Sequence, residues 1–372
     1  MFLINDILNF IDSSLKENIV IKSKIFLNVF DTKYLNNFSN FFYYLFKSNL
    51  SYEDIIFLDL ETNGLYGCGN FPFLYGVGIK SDNNFIILQI ILKKFGIEKE
   101  ILEIFKKLLN DKKVIVTFNG NRFDIQVLKE RSILNRNYEL INYIENLFKF
   151  DLYLFLKILL KDNIKKNINN CLSLKNTEKY LLKINRINDI DSSLVPYLFK
   201  NFIENNYDDK YIFPIINHNF ADIYSLFKLF NFFENEIFNK NYFDIFKYIK
   251  YLINKKEYEK ATLLLNNIPI KDEVSKINYF NIKILKKKKE FESLKNFFEE
   301  LNEEIILSSY LLIEEYFKFY EFYIKDFSKI ILFIEKNIKK LNLLYEDKLE
   351  EIIKRYERVK KKLFIKRNMK RL

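Results

Sequence analysis

The sequence predicts an α/β domain, a mixed sheet flanked by helices, followed by an all-α region of helical repeats. Three observations carry this. Residues 55–92 hold three apolar runs of alternating character joined by short turns. Residues 97–133 then give a helical spacing, a short apolar strand and a second helical spacing. Beyond about Asn239 only helical patterns remain.

Residues 1–50 lack a strong period. Ile19-Val20-Ile21 and Ile25-Phe26-Leu27 read as short strands, and Phe38 to Phe46 as a helix. This stretch reads as a lead-in packed on the core. Ile55 to Leu58, Phe73 to Ile79 and Phe85 to Ile90 form an antiparallel meander. Ile101, Ile104, Phe105 and Leu108 mark a helix over 97–109. Val114 to Phe118 is a buried-type strand, and Phe123 to Ile133 a helix. Three strands, helix, strand, helix is the opening order of a ribonuclease-H-like fold. Phe148 to Tyr153 leads into a helix ending at Leu160, and 161–170 reads as a loop. Helices follow from Cys171 to Leu182 and from about Pro196 to Ile203. A long helix opens at Ile215, with Ile223, Leu226, Phe227 and Phe230 as its apolar face. The expected domains are 1–50, 51–238 and 239–372.

In the last of these, Lys256-Glu257-Tyr258-Glu259-Lys260-Ala261 recurs as Lys289-Glu290-Phe291-Glu292-Ser293-Leu294. It recurs more loosely as Lys325-Asp326-Phe327-Ser328-Lys329-Ile330. The offsets bracket the period of about 34 residues found in tetratricopeptide-type helix pairs. The residue closing each motif is expected to pack between helices. Such a solenoid suits a protein partner, and ordinary helical hairpins are the other reading of this stretch.

The chain has 372 residues, 49% of them hydrophobic, enough for a packed core. Cys68 and Cys171 lie far apart without metal-ligand spacing, which points to a reduced, cytoplasmic setting. The apolar start Met1-Phe2-Leu3-Ile4 has no basic stretch before it and does not read as a signal peptide. No run is long enough for a membrane helix, so a soluble protein without a membrane partner is expected. The net charge of +11 favours polyanions, nucleic acid above all. Abundant Ile, Asn, Lys, Phe and Tyr, with only 7 Gly and 4 Pro, also fit AT-rich coding. The lysine excess therefore needs no partner to account for it. Lys354 to Leu372 is densely basic, as either a solvated face or a nucleic-acid contact.

The chemistry concentrates at F-L-D-L-E-T-N-G-L, Phe57 to Leu65. On a strand, Asp59 and Glu61 project from one face, with Leu58 and Leu60 on the other. Two carboxylates so close repel unless a proton or cation lies between them. Mg²⁺ and Mn²⁺ take such oxygen ligands. Thr62-Asn63-Gly64 breaks the strand. A solvated polar strand face is the other reading. Asp124 stands at a helix start beyond a strand's carboxyl end, where it either caps free N–H groups or joins a site. His218, the only histidine, lies four residues before Asp222, on the same helical face.

Asp59, Glu61, Asp124 and Asp222 in this order resemble the DEDD, or DnaQ-like, 3′–5′ exonucleases. Their motifs read here as Asp59-Leu60-Glu61, Asn119-Gly120-Asn121-Arg122-Phe123-Asp124, and His218-Asn219-Phe220-Ala221-Asp222. More narrowly, the chain is similar to the YprB-like ribonuclease-H-like domain family. D-L-E-T-N-G-L, F-N-G-N-R-F-D, S-L-K-N-T-E-K-Y-L-L-K-I-N-R, D-I-D with Val195-Pro196-Tyr197, and H-N-F-A-D-I-Y-S-L carry that likeness over about 52–238. The helical C-terminal part resembles the tetratricopeptide-like extension of some relatives. The resemblance implies two-metal phosphodiester hydrolysis of DNA or RNA, single-stranded 3′ ends foremost. Asp59, Glu61, Asp124 and Asp222 would hold two Mg²⁺ or Mn²⁺ ions about 3.5–4 Å apart. Asn119 would orient substrate or a neighbouring carboxylate. Leu65 would pack on the terminal base, beside Thr62. Arg186 would either meet a phosphate or form a surface salt bridge. Asp151 opens a helix and would support the site from behind. His218 would be the general base, although it stands at the four-residue spacing of the tyrosine class rather than the five of the histidine class. The competing expectation is a silent nucleic-acid-binding module whose helical repeats dock a protein.

Overall fold

The computed structural model describes residues 19–26, 50–64, 70–81, 84–93, 96–168, 171–268 and 273–369. The helix expected at Phe38 to Phe46 lies outside these residues, as do Leu65 and Cys68. The chain divides into two units, Met1–Ile245 and Phe246–Leu372.

The first unit is built on one mixed sheet. Its strands are β1 (Ile19–Phe26), β2 (Ile55–Thr62), β3 (Pro72–Ser81), β4 (Asn84–Leu92), β5 (Val114–Thr117) and β6 (Phe148–Asp151), in the order β1-β4-β3-β2-β5-β6. The two short strands expected near residue 20 are one, paired antiparallel with β4. β2, β3 and β4 make the antiparallel meander. β5 and β6 extend it in parallel with β2. The strand β6 was hidden in the sequence, because its four residues run straight into a helix.

Helices α1 (Glu98–Leu109), α2 (Asp124–Leu134), α3 (Tyr138–Asn146), α4 (Leu152–Leu159), α5 (Asp162–Asn167), α6 (Leu174–Leu181), α7 (Val195–Glu204) and α8 (Asp209–Glu236) flank the sheet. α5 occupies the stretch expected as loop. α8 starts six residues before the expected Ile215. Asp208 caps it by accepting from Lys210 N at 3.0 Å. Pro214 lies inside it and breaks the sequence signal there.

Alternation along β2 decides where function can sit. Ile56, Leu58 and Leu60 belong to the apolar core shared with α1 and α2. Phe57 turns to the other face and meets Phe227 and Phe230 of α8, edge to face at 5.8 and 5.5 Å. Asp59 and Glu61 continue that second face towards the strand end.

The second unit is helical. It comprises α9 (Ile245–Asn254), α10 (Tyr258–Asn266), α11 (Val274–Lys288), α12 (Phe291–Glu300), α13 (Glu303–Leu307), α14 (Tyr310–Lys318), a π-helical turn (Phe319–Ile324), α15 (Phe327–Leu344) and α16 (Leu349–Met369). The repeated motif is a repeated backbone junction. Lys256, Lys289 and Lys325 each take the left-handed conformation, with φ of 63°, 62° and 58°. Glu257 N donates to Leu252 O and Glu290 N to Leu285 O, the paired closure of a Schellman helix end. Ala261, Leu294 and Ile330, which close the motifs, are fully buried. In α16 the charge is partly consumed internally. Buried Glu321 accepts from Arg358 at 2.9 Å and Lys362 at 2.7 Å, with Arg355 at 3.5 Å.

Candidate active site

Asp59, Glu61, Thr62, Asn119, Asp124, His218 and Asp222 line one cavity of about 300 Å³. It lies at the carboxyl ends of β2 and β5, where sites gather in such sheets. Three elements supply its acids: β2 gives Asp59 and Glu61, the start of α2 gives Asp124, and α8 gives Asp222.

Three of the four carboxylates, Asp59, Asp124 and Asp222, are fixed by a partner. The Asn219 side-chain amide donates to Asp59 O at 3.1 Å and Asp59 Oδ2 at 2.8 Å. Gln89 of β4 fixes that amide by donating to Asn219 Oδ1 at 2.9 Å. Gly76, the cross-strand neighbour of Asp59, makes room, since a Cβ there would lie 2.2 Å from Asn219 Oδ1. Asp124 Oδ1 accepts from Leu60 N at 3.0 Å, across to β2. It thus joins the strand rather than serving only as a helix cap. Gly120 permits this, because a Cβ there would stand 2.7 Å from Asp124 Oδ2.

Burial, then the repulsion of Asp222, Glu61 and Asp124, pushes the Asp59 carboxyl well above its ordinary range. Burial, then Asp222 and Asp124, does the same to Glu61. Burial raises Asp124 to about 7. Asp222 is also raised by burial, against the pull of His218 and Arg186. Four clustered carboxylates faced by one guanidinium remain short of positive charge, and their oxygens are the ligand type that suits a hard divalent cation. Among the described residues, no group of three or more His, Cys, Asp or Glu stands arranged to hold a metal ion. Asn219, Leu60 N–H and Arg186 each hold one of the acids in its present place.

Arg186 departs from both expectations. It is neither a surface bridge nor open to phosphate, its side chain being only 5% exposed. Its Nη1 lies 2.5 Å from Asp222 Oδ1 and 3.3 Å from Asp189 Oδ2. Its Nε and Nη2 grip Glu178 at 2.5 and 3.0 Å. Burial opposes this charge, but Glu178 and Asp222 outweigh it and raise the guanidinium pKa. Arg186 thus orients Asp222. Ser225 Oγ adds a hydrogen bond to Glu178.

Asn119 takes the left-handed conformation, with φ of 62°, and its N–H donates to Asp151 Oδ1 at 2.8 Å. Asp151 also caps α4 through Tyr153 N and Leu154 N. It anchors the loop and does not line the cavity. His218 was expected at the head of its helix. The earlier start of α8 places it more than two turns inside, beyond the reach of the helix-end dipole. Its ring contacts Asp189 and Ser192, neither singled out as a site residue, because both lie 26 or more residues away along the chain, outside its helix. Glu178, Gln89 and Asn219 were missed for the same reason: buried partners leave no spacing signal.

Sheet order, flanking helices and acidic cavity define a ribonuclease-H-like domain with a nuclease-type fold. The family model RNase_H_2, of the RNase_H superfamily, matches residues 56–233. No curated protein matches the chain. No helix among the described residues is long and apolar enough to cross a membrane.

Proposed function

We propose that the chain is a metal-dependent 3′–5′ exonuclease of the DEDD type, similar to YprB-like domains. The observation that carries this is the gathering of Asp59, Glu61, Asp124 and Asp222 on one cavity, each raised in pKa. Those four would hold two Mg²⁺ or Mn²⁺ ions. Bound divalent ions supply charge neutralisation at the phosphate and a more acidic water. Asn219 holds Asp59 in place and Arg186 holds Asp222. His218, at the cavity wall, accepts a proton from the attacking water. Thr62 and Asn119 face the substrate from the strand end and the α2 loop. Leu65 would pack on the terminal base. The repeats of the second unit, tetratricopeptide-like in spacing, would serve a protein partner.

The test is incubation with 5′-labelled single-stranded DNA and RNA, with Mn²⁺ or with EDTA. A ladder shortening from the 3′ end, present only with metal, supports the proposal. Internal cuts of fixed length, or no cutting, refute the exonuclease.

A further inference from the structure

The segment from Ser173 to Arg186 places none of its side chains on the acidic cavity. Its own ends explain its shape. Ser173 caps α6 by accepting from Asn176 N at 3.2 Å. Leu182 N donates to Glu178 O at 2.8 Å, and Lys183 then turns the chain back in the left-handed conformation, with φ of 60°. This reversal brings Arg186 beside the Glu178 side chain. Arg186 Nε donates to Glu178 Oε1 at 2.5 Å and Nη2 to Oε2 at 3.0 Å, a two-pronged pair.

A guanidinium has five N–H donors, no acceptor and a charge it keeps at any working pH. Every donor of Arg186 meets an acceptor. Beyond the pair to Glu178, Nη2 lies 3.5 Å from Ser225 Oγ. Nη1 lies 2.5 Å from Asp222 Oδ1 and 3.3 Å from Asp189 Oδ2. Ser225 stands one turn beyond Asp222 on α8, and its hydroxyl donates to Glu178 Oε2. The side chains of Asp222, Arg186, Glu178 and Ser225 thus close a ring through α8. The side chains of Arg186 and Glu178 are buried, as is Ser225. Glu178, rather than solvent, therefore balances the guanidinium. Asp189 is already shared with Lys175 at 3.3 Å and with His218 at 2.7 Å. Asp222 enters the ring by Oδ1 alone. Its Oδ2 stands outside, 3.6 Å from His218 Nε2.

We infer that Glu178 is a positioning residue: it holds the Arg186 guanidinium to one oxygen of Asp222 and leaves the other to the cavity and a divalent cation. The cation rests on the nuclease reading; the ring does not. Without the Glu178 charge, the freed donors of Arg186 would turn onto Asp222 and compete with the cation for both of its oxygens.

The test is titration of the full chain with Mn²⁺ by calorimetry. Glu178→Gln should weaken binding by roughly 10–100-fold, the usual effect of losing a group that orients a metal-holding side chain. Glu178→Gln with Arg186→Gln should bind Mn²⁺ more tightly than Glu178→Gln alone, because the competing charge has gone. A residue that only supports the fold would give the opposite order. In the metal-free chain the Arg186 Nε–H, assigned by its loss in Arg186→Lys, should exchange slowly with solvent. Unchanged Mn²⁺ affinity in folded Glu178→Gln overturns the inference, as does a double variant that binds no more tightly than the single. If Glu178→Gln does not fold, Ser225→Ala decides. It opens the ring at one bond, and should weaken Mn²⁺ binding a few-fold and speed exchange of the Arg186 Nε–H; no change in either overturns the inference. A wild-type chain that binds no Mn²⁺ would remove the proposed function. The exchange would still decide the ring, and a fast-exchanging Nε–H in the wild-type chain would overturn it.

Discussion

Asn219 holds Asp59 twice, donating to its backbone carbonyl at 3.1 Å and to its carboxylate at 2.8 Å. The amide cannot flip without placing its NH₂ against the Gln89 donor at 2.9 Å. One helix thus sets the rotamer of an acid on the adjacent strand. Asn219→Leu should destabilise the chain by about 1–3 kcal/mol, the cost of buried groups left unpaired. Gly76→Ala, which pushes a methyl into the same amide, should cost a similar 1–3 kcal/mol or so through overpacking. Urea denaturation measures both.

Removing an acid should stabilise the metal-free fold. Asp59 and its neighbours raise one another's pKa through repulsion as well as burial. Asp59→Asn keeps an acceptor for Asn219 and loses the charge. Its metal-free stability at pH 8 should rise by about 1 kcal/mol or more, one pKa unit being about 1.4 kcal/mol. Stabilisation by added Mn²⁺ should be lost in the same variant. Thermal melts in EDTA and in Mn²⁺ check both statements.

The pH dependence has a definite sign. Burial raises Asp124 from 3.8 to about 7, so between those values the fold holds a proton that the unfolded chain has released. This group's contribution is therefore fully present below about pH 4 and is lost as pH rises through about 7. Asp59, Glu61 and Asp222 shift in the same direction. Metal-free stability should fall across that window in wild type and fall less in Asp124→Asn. Mn²⁺ binding should release protons, measurable by calorimetry in two buffers.

The fold was legible where period and length spoke together, as in the β2–β4 meander and the α8 core face. The strand acids were legible because a spacing of two on a strand admits one geometry. What hid was local or distant. β6 is four residues merged with a helix, and Pro214 masked the first turns of α8. Asp189 meets His218 from 29 residues upstream, which no periodicity encodes.

The first unit should fold when cut after Ile245. Residues beyond 238 pack back on it: Asp244 N donates to Leu159 O at 2.9 Å, and Phe243 is buried against Phe233. A 1–245 fragment should give a cooperative melt, and a 1–238 fragment a lower one. Since Glu321 consumes part of the α16 charge, the fragment's affinity for single-stranded DNA should fall only a few-fold at low salt and converge with the full chain at high salt. Fluorescence anisotropy reads this out.

The most direct test compares the wild-type chain with folded Asp59→Ala and Asp222→Ala on labelled single-stranded DNA and RNA in Mn²⁺. Both variants should retain the wild-type circular dichroism spectrum and lose cleavage by roughly 10³-fold or more, the scale expected when a metal-holding acid is lost from a charge-stabilising site. Full activity in either folded variant would contradict the assignment of this cavity as the catalytic centre.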